Sequence, residues 1–217
     1  MAYITKLVTS GTFSLDGGTW EVDNNVWIVG NDTHCVVIDP AHDAQAVGEA
    51  VQGREVVAIL LTHGHDDHIR AVQSFRSLVD APVLLHPDDR MLWDTVYPDQ
   101  APDGTITDGE TFTVGDTVLT AMHTPGHSPG SVCFHAPDLR PEEAADTTGV
   151  VFSGDTMFQG GPGATGRSYS DFDTIIESIK ARLLVLPEET TVLTGHGDST
   201  TIGAEAPHLQ EWIERGH

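Results

Sequence analysis

A dense run of potential metal ligands occupies residues 62–68, which read Thr-His-Gly-His-Asp-Asp-His. Three imidazoles and two carboxylates within six consecutive positions supply the side chains that divalent cations take as ligands. In an extended stretch, side chains two positions apart point the same way, so His63 and His65 are predicted to hold one ion together. Asp67 and His68, where the chain turns into a helix, are predicted to reach a second ion. A solvated turn rich in His and Asp is the alternative.

The elements that must position this run are a strand before it and a helix after it. Residues 56–61 are all apolar and predict a buried strand. Apolar residues then recur at helical spacing, at Ile69, Val72, Phe75 and Leu78. The ligands are therefore placed at a strand-to-helix turn.

Other predicted strand ends carry matching side chains. His127 lies in a Gly- and Pro-rich turn that would fix the direction of its imidazole. Asp155 follows an apolar strand predicted over 150–153, where a carboxylate is costly unless it is paired or metal-bound. His196 follows the strand predicted over 192–194, between two glycines. Together these residues predict a two-metal site, with His63, His65 and His127 on one ion, Asp67, His68 and His196 on the other, and Asp155 bridging them.

Paired ions of this kind perform hydrolysis. Two ions about 3.5 to 4 Å apart clamp a substrate oxygen and lower the pKa of bound water from 15.7 to about 7. Asp39 ends another apolar strand, predicted over 35–38, and two interpretations of it stay open. It either orients a ligand imidazole or simply forms the turn before Pro40.

Composition bounds the class of protein. With 217 residues, of which 39% are hydrophobic, the chain is expected to form a single domain over 1–217. Ten Lys and Arg against 33 Asp and Glu give a formal net charge of -23, which argues against nucleic acid and membrane surfaces as partners. The N-terminal residues lack the apolar core of a signal peptide, so a cytoplasmic location is expected. Oligomeric state is left open.

The remaining elements follow from turn and cap signals. Runs rich in Val, Thr, Ile and aromatic residues over 4–29 predict a ladder of hairpins broken at Gly11, 16–18 and 23–25. Helices are predicted from Asp43 to about Val51, from Ser170 or Asp171 to about Leu184, and over 201–215. Cys35 and Cys133 lie in apolar runs and are predicted to be buried, with their pairing left open.

Four motifs resemble those of metallo-β-lactamase-fold hydrolases: HGHDDH at 63–68, TPGHSPG at 124–130, FSGDT at 152–156 and TGHG at 194–197. They look nearest to the compact bacterial members of the glyoxalase II-like (hydroxyacylglutathione hydrolase-like) branch. The resemblance covers the chain from about Asp39 to the final helix and includes all seven predicted ligands. It implies an α/β (α+β) fold, the four-layer αββα metallo-β-lactamase sandwich, with the metals at one edge.

The resemblance also implies an activity. A metal-bound hydroxide, oriented by Asp67, attacks the acyl carbon of a thioester, and a thiolate leaves. The implied ions are two divalent metals, zinc first, with iron or manganese as alternatives. The implied substrate is a small-molecule thioester, such as an acyl or formyl thioester of mycothiol or glutathione. Arg167 and Tyr169, which follow a Gly-rich loop over 160–166, are candidates to contact the thiol carrier; a surface Arg and a core Tyr are the alternative.

Several other functions stay open at this stage. Two other enzyme classes stay open as alternatives. One is a persulfide dioxygenase-type enzyme with one iron, which resembles the same family, and the other is a lactonase. A non-catalytic metal-binding module is the least favoured, because a structural site normally closes four ligands around one ion. A secreted β-lactamase is disfavoured by the lack of a signal peptide. The role of Arg70, directly after the first motif, is also open.

Overall fold

The first sheet contains six strands in the order of the sequence. In this computed structural model, which describes residues 1–141 and 148–216, they are β1 (Tyr3–Leu15), β2 (Gly18–Gly30), β3 (His34–Ile38), β4 (Glu55–Leu60), β5 (Val83–Leu85) and β6 (Gly104–Thr105). The pairs β1/β2 and β2/β3 are antiparallel, and the pairs from β3 to β6 are parallel.

The second sheet follows from the second half of the chain. Its strands are β7 (Thr111–Val114), β8 (Thr117–His123), β9 (Val132–Ala136), β10 (Val150–Gly154), β13 (Thr191–Thr194) and β14 (Thr200–Thr201). They lie in the order β14-β13-β10-β9-β8-β7, and only the β10/β13 pair among them is parallel. A separate small hairpin pairs β11 (Met157–Phe158) with β12 (Gly161–Pro162).

The α-helices are α1 (Ala44–Val51), α2 (Asp66–Ile69), α3 (Val72–Val79), α4 (Arg90–Val96), α5 (Phe172–Ser178), α6 (Ile202–Glu205) and α7 (Leu209–Arg215). Two of the seven helices in the described ranges, α1 and α5, begin at their predicted N-cap residues. The Asp43 carboxylate accepts hydrogen bonds from the backbone N–H of Gln45 and Ala46 at the start of α1, and Asp171 accepts one from Thr174 at the start of α5. A π-helical turn over Ile179–Leu183 extends α5.

Three buried clusters lie between four layers. Alternate residues of each strand face opposite sides of its sheet, so Val37 and Ile59 meet the helices that include Phe75, whereas neighbouring strand residues face the second sheet. The cluster between the sheets joins residues such as Leu60 and Phe152. The third cluster lies between the second sheet and α5 to α7. This arrangement confirms the predicted αββα sandwich.

The predicted ladder of short hairpins is wrong: residues 3–30 form one long hairpin. Its single turn falls at Asp16 and Gly17, which both have positive φ angles, 53° and 79°. Gly11 stays within β1, where an added Cβ would overlap the imidazole of His42. Asn24 stays within β2 because it is fully buried and its side-chain amide has partners in the core.

Two helix predictions need correction. The segment after the ligand run is interrupted between α2 and α3, and Leu78, expected on the apolar face of that helix, is 61% exposed. The closing helix predicted over 201–215 is divided into α6 and α7 by a 3-10 turn over Ala206–His208, because Pro207 has no N–H to continue an α-helix. None of the helices in the described ranges combines the length and apolar character that crossing a bilayer requires.

The two cysteines are both unpaired and both buried. Cys35 belongs to the cluster under α1 and α3, and Cys133 to the cluster under α5. Burial raises the pKa of Cys133 to about 11, and burial also raises the pKa of Cys35. Both thiols are therefore packing groups, which answers the question of their pairing.

Candidate metal centre

The predicted ligands meet at the edge of the sandwich where strands of both sheets end. His63 comes shortly after β4, His127 lies between β8 and β9, Asp155 directly follows β10, and His196 follows β13. Although these positions are far apart in sequence, the sandwich brings all seven predicted ligands together, and the distances between them define two groups.

The first group, here called the three-histidine site, consists of His63, His65 and His127. His65 Nδ1 lies 3.0 Å from His127 Nε2, and the His63 ring centroid lies 4.7 Å from that of His65 and 4.9 Å from that of His127. One donor atom from each residue lies within 4.8 Å of the others. His63 Nε2 is buried without a hydrogen-bond partner, which suits a lone pair directed at an ion.

The second group, here called the aspartate site, consists of Asp67, His68 and His196. Asp67 Oδ2 lies 3.3 Å from His196 Nε2 and 3.5 Å from His68 Nε2. The two imidazole Nε2 atoms are 3.2 Å apart. His68 is fully buried, and Asp67 is 3% exposed.

Asp155 touches both groups. Its Oδ2 lies 3.6 Å from His127 Nε2, in the three-histidine site, and 3.3 Å from His196 Nε2, in the aspartate site. Its Oδ1 lies 3.4 Å from His68 Nε2. Gly195 makes this approach possible, because a Cβ there would overlap the Asp155 carboxylate. Asp155 thus has the position that a bridging carboxylate requires.

The outer nitrogen of each of two ligand imidazoles faces a backbone carbonyl. His127 Nδ1 lies 2.9 Å from the oxygen of Ala164, and His196 Nδ1 lies 2.7 Å from the oxygen of Asp23. Because a carbonyl oxygen only accepts, Nδ1 carries the proton in both rings. The Nε2 atoms therefore point into the centre, and each can bind an ion once it carries no proton.

Asp39 orients two more of the imidazoles. Its carboxylate accepts hydrogen bonds from Thr62 N–H at 2.8 Å, Thr62 Oγ1 at 2.6 Å and His68 Nδ1 at 2.9 Å. Because the Thr62 hydroxyl donates to Asp39, its oxygen can accept from His63 Nδ1, 3.0 Å away. Of the two interpretations of Asp39, the structure shows the orienting contact, from a residue that also turns the chain with φ 50°.

Burial keeps two rings of the three-histidine site, those of His63 and His65, neutral. Desolvation, reinforced by the neighbouring His127, lowers the pKa of His65 to about 3. Desolvation, together with His68 and His65, also lowers the pKa of His63 well below its ordinary value. Neutral imidazole is the form that binds a metal ion, so these rings need lose no proton to do so.

The aspartate site has the opposite electrostatics. Burial opposes a charged imidazole there, yet the Asp155 carboxylate and hydrogen bonds to Asp155 and Asp67 raise the pKa of His196 to about 10. Asp67 and Asp155 likewise raise the pKa of His68 against its desolvation. In turn, these imidazoles lower the pKa values of both carboxyl groups although burial acts to raise them. The two carboxylates are ionised.

This donor set fits divalent ions. It offers imidazole nitrogens and carboxylate oxygens in two clusters, several of them buried without a partner, and hydrogen bonds fix the orientation of the rings.

Asp66 and Arg70 stay outside the set. Asp66 Oδ1 accepts from the Ser14 N–H at 3.0 Å, and Arg70 pairs with the same carboxylate. Asp66 thus anchors the β1–β2 hairpin, and Arg70 pairs with the Asp66 carboxylate.

A further group of donors, His86, Asp88 and His123, lies outside the centre. The two imidazole rings are stacked, with centroids 4.1 Å apart and an angle of 10° between their planes. Since an ion lies in the plane of the ring that binds it, parallel stacked rings do not share one ion in this geometry. We interpret this pair as a packing contact.

A cavity of about 360 Å³ opens over the centre. Its floor contains five of the predicted ligands, and its wall is mostly apolar. The apolar wall residues are Phe13, Leu15, Trp20, Val22, Phe158 and Ala164. Four of these belong to the long hairpin, whose runs of Val, Thr, Ile and aromatic residues indicate strands but do not show that one face covers the centre.

Arg167 lines the same cavity. Its guanidinium carbon lies 3.8 Å from the ring centroid of Trp20 and 5.2 Å from that of Phe13. One terminal nitrogen is buried without a hydrogen-bond partner, and no other Arg or Lys of the described residues lines the cavity. Tyr169 is 54% exposed and is not among the lining residues.

Two polar residues at the centre escaped sequence analysis. Asn24 Nδ2 donates to Asp67 Oδ2 at 3.0 Å, but the Asp-Asn-Asn stretch was interpreted as a turn. Asp89 is fully buried, and desolvation raises the pKa of its carboxyl group although hydrogen bonds from Ser128, Gly130 and Gly64 act against this. Asp89 follows Asp88, and the local sequence does not distinguish a buried Asp89 from an exposed acidic residue of a turn.

Comparison with known proteins places this site in context. A family model described as the Metallo-beta-lactamase superfamily matches residues 19–196. The chain is 29% identical to the hydroxyacylglutathione hydrolase GloC of Haemophilus influenzae, over 80% of this chain and 85% of that protein. It is 33% identical to the BLEG-1 B3 metallo-beta-lactamase, with a TM-score of 0.74 and coverage of 92% and 97%. It is 35% identical to TTHA1623 in a di-iron-bound form, with a TM-score of 0.70 and coverage of 85% and 93%.

The charge pairing in the aspartate site predicts a pH dependence for protein stripped of ions by a chelator. The pKa of His196 is about 10 in the folded chain against an ordinary 6.5, so its contribution to stability is complete below pH 6.5 and is lost as the pH rises through 10. His68 acts in the same direction. Denaturant unfolding of the ion-free protein should show a midpoint that falls across this range, with a smaller fall in His196→Gln. A midpoint that rises or stays flat in the unsubstituted protein contradicts the assignment.

Proposed function

The chain belongs to the Metallo-beta-lactamase superfamily, and we propose that it is a glyoxalase II-like hydrolase that cleaves a thioester of a low-molecular-weight thiol. We propose further that its 217 residues form one domain with one such centre. The similarity to GloC, a hydroxyacylglutathione hydrolase, supports the thioester class. The family implies a small-molecule substrate, and the cavity over the centre has a size that suits one.

Two divalent ions are proposed to bind at this centre. The three-histidine site would hold one, the aspartate site the other, and Asp155 would contact both. When bound, such ions act as Lewis acids and lower the pKa of a bound water to about 7. The similarity to a structure in a di-iron-bound form supports the count of two. Zinc is our first choice of metal and iron or manganese the alternatives, since the donor types suit all three.

One observation carries the choice of a thioester: Asp67 and Asp155, the two carboxyl groups that line the cavity, each have an oxygen 3.3 Å from His196 Nε2. Burial acts to raise the pKa values of both groups, but the neighbouring imidazoles lower them. Asp66, the next carboxyl group, is turned away toward Ser14 and Arg70. An ionised carboxylate has no proton to give to a leaving group. A thiolate leaves without one, whereas an amine needs protonation.

Asp67 is proposed to have a second task. It lines the cavity, and Asn24 and His196 hold its Oδ2 in place. An ionised carboxylate in that position accepts a hydrogen bond from the attacking water and orients it toward the acyl carbon. The apolar wall of the hairpin would exclude bulk water from the same space.

Arg167 is proposed to bind a negatively charged group of the substrate. It is the cavity's single Arg or Lys within the described ranges, with a buried nitrogen that lacks a hydrogen-bond partner. Tyr169, exposed just outside, would contact only a carrier that extends beyond the cavity. Acyl or formyl thioesters of mycothiol or glutathione are the proposed substrates, and the two unpaired cysteines fit a reducing compartment such as the cytoplasm.

A second candidate function is β-lactam hydrolysis. The similarity to a B3 metallo-beta-lactamase covers 92% of this chain at 33% identity. That reaction expels an amine, for which the cavity offers no protonated carboxyl group. The persulfide dioxygenase and lactonase alternatives have no further observation in their favour.

A panel of substrates tests the proposal. Protein of measured ion content should hydrolyse at least one acyl thioester faster, in kcat/KM, than any β-lactam, lactone or persulfide of similar size.

Asp155→Ala should lose bound metal and more than about 100-fold in activity, because the bridging carboxylate contacts both sites. Asp198→Asn, an exposed carboxylate nearby, is the matched control and should keep both. Two ions per chain retained in Asp155→Ala contradict the bridging role.

The role of Arg167 is tested by Arg167→Met. The substitution keeps an apolar stem against Trp20 but removes the charge. With a carboxylate-bearing thiol carrier, KM should rise about tenfold or more while kcat changes little, since hydrogen bonds to charged groups contribute about 1.5–3 kcal/mol. A thioester whose carrier has no charge should lose nothing. Arg76→Ala, which removes an ion pair with Asp103 away from the cavity, serves as control. Equal losses with both carriers contradict the role.

A further inference from the structure

We propose that Asp89 is a positioning residue for one ion site alone: it organises the three-histidine site and leaves the aspartate site unaffected. The proposal rests on the two-ion function proposed above. It follows from where the Asp89 carboxylate lies and from which loops it holds.

Asp89 ends the short 3-10 turn Pro87–Asp89, which follows β5 of the first sheet. Its side chain is fully buried, and a buried carboxylate is tolerated only where several donors compensate for the lost water. The donors found here are hydrogen-bonding groups of two ligand-bearing loops. Asp89 itself contributes no atom to either group of ion ligands.

The two oxygens of Asp89 hold both loops. Oδ2 accepts from the Gly64 N–H at 2.8 Å, and Gly64 lies between the ligands His63 and His65. The same Oδ2 accepts from Ser128 Oγ at 2.7 Å, next to the third ligand, His127. Oδ1 accepts from the Gly130 N–H at 2.6 Å. Every loop that supplies a ligand to the three-histidine site is therefore bound to one carboxylate.

The loops also pack directly on Asp89. A Cβ at Gly64 would lie 2.9 Å from the Asp89 backbone oxygen, and a Cβ at Gly130 would lie 2.8 Å from its carboxylate carbon. Because both positions are glycine, the two loops can approach Asp89 closely. Little space is left for either loop to move toward Asp89, and movement away from it would break a hydrogen bond.

This contact matters because the two loops come from different sheets. Gly64 follows β4 of the first sheet, whereas Ser128 and Gly130 lie between β8 and β9 of the second. The distance of His127 from His63 and His65 thus depends on how the two sheets' loops are joined. Asp89 joins them with hydrogen bonds to a charged group, the stronger class of hydrogen bond.

The aspartate site has other supports. Asn24 donates to Asp67, Asp39 accepts from His68, and the Asp23 carbonyl accepts from His196. None of these three contacts involves Asp89. Asp39 serves both sites, through His68 and through Thr62 and His63. Besides Asp39, each ion site has positioning residues of its own, and each should respond to its own substitution.

The test substitutes Asp89→Asn and measures ion binding. The amide keeps the shape of the side chain, but its NH₂ group faces an N–H donor whichever way it turns, because both oxygens accept from backbone N–H groups. Cobalt(II) is titrated into ion-free protein against a chromophoric chelator, and its absorption bands distinguish a site with three imidazoles from one with two imidazoles and the Asp67 carboxylate. The affinity of the three-histidine site should fall by about 10- to 100-fold, and that of the aspartate site should stay unchanged.

Asn24→Leu is the mirror control, since it removes the donor to Asp67 and should weaken the aspartate site alone. Ser128→Ala removes one of the three donors to Asp89 and should shift the three-histidine site in the same direction by less, which keeps a test available if Asp89→Asn does not fold. Parallel loss from both sites, or no loss, in the Asp89 and Ser128 variants overturns the role of Asp89. Unsubstituted protein that binds a single ion contradicts the two-ion function itself and the selectivity with it.

Discussion

The structure depends on the need to compensate two buried negative charges, those of the Asp67 and Asp155 carboxylates. A charge removed from water requires a positive charge or hydrogen-bond donors close to it. Without ions, protonated His68 and His196 provide that compensation, and their pKa values rise accordingly. Ions in the proposed sites would replace those protons and take over the compensation. The same side chains would thus serve two charge states, whereas burial keeps His63 and His65 neutral, so those rings need no such exchange.

The sandwich exists, in functional terms, to bring these side chains to one edge. Strands of both sheets end at that edge, and the apolar layers between and outside the sheets fix the strand ends relative to one another. Buried polar residues then set the orientation of the ligands. Asp39 acts on His68 and, through Thr62, on His63. The long hairpin closes the arrangement by placing apolar side chains and Arg167 around the cavity.

Sequence reasoning found what is encoded locally. The ligand run after β4, the Gly-rich turn around His127 and the ligands after β10 and β13 are each visible within a few residues, so the seven predicted ligands come together as expected. Contacts between distant segments were not visible. Asn24 reaches Asp67 across 43 positions, and Asp89 reaches Gly130 across 41. The hairpin was misjudged because Gly11 and Asn24 serve packing needs, with His42 and Asp67, that no local pattern reveals.

The most direct test of the two-ion thioesterase is to follow ion binding and thioester hydrolysis together. Ion-free protein is titrated with zinc, iron(II) or manganese(II) while bound metal per chain and the rate of thiol release are both recorded. The account predicts two bound ions per chain and a rate that rises mainly as the second ion binds. Full activity with one ion per chain, or two bound ions with no thioester cleaved, would contradict it.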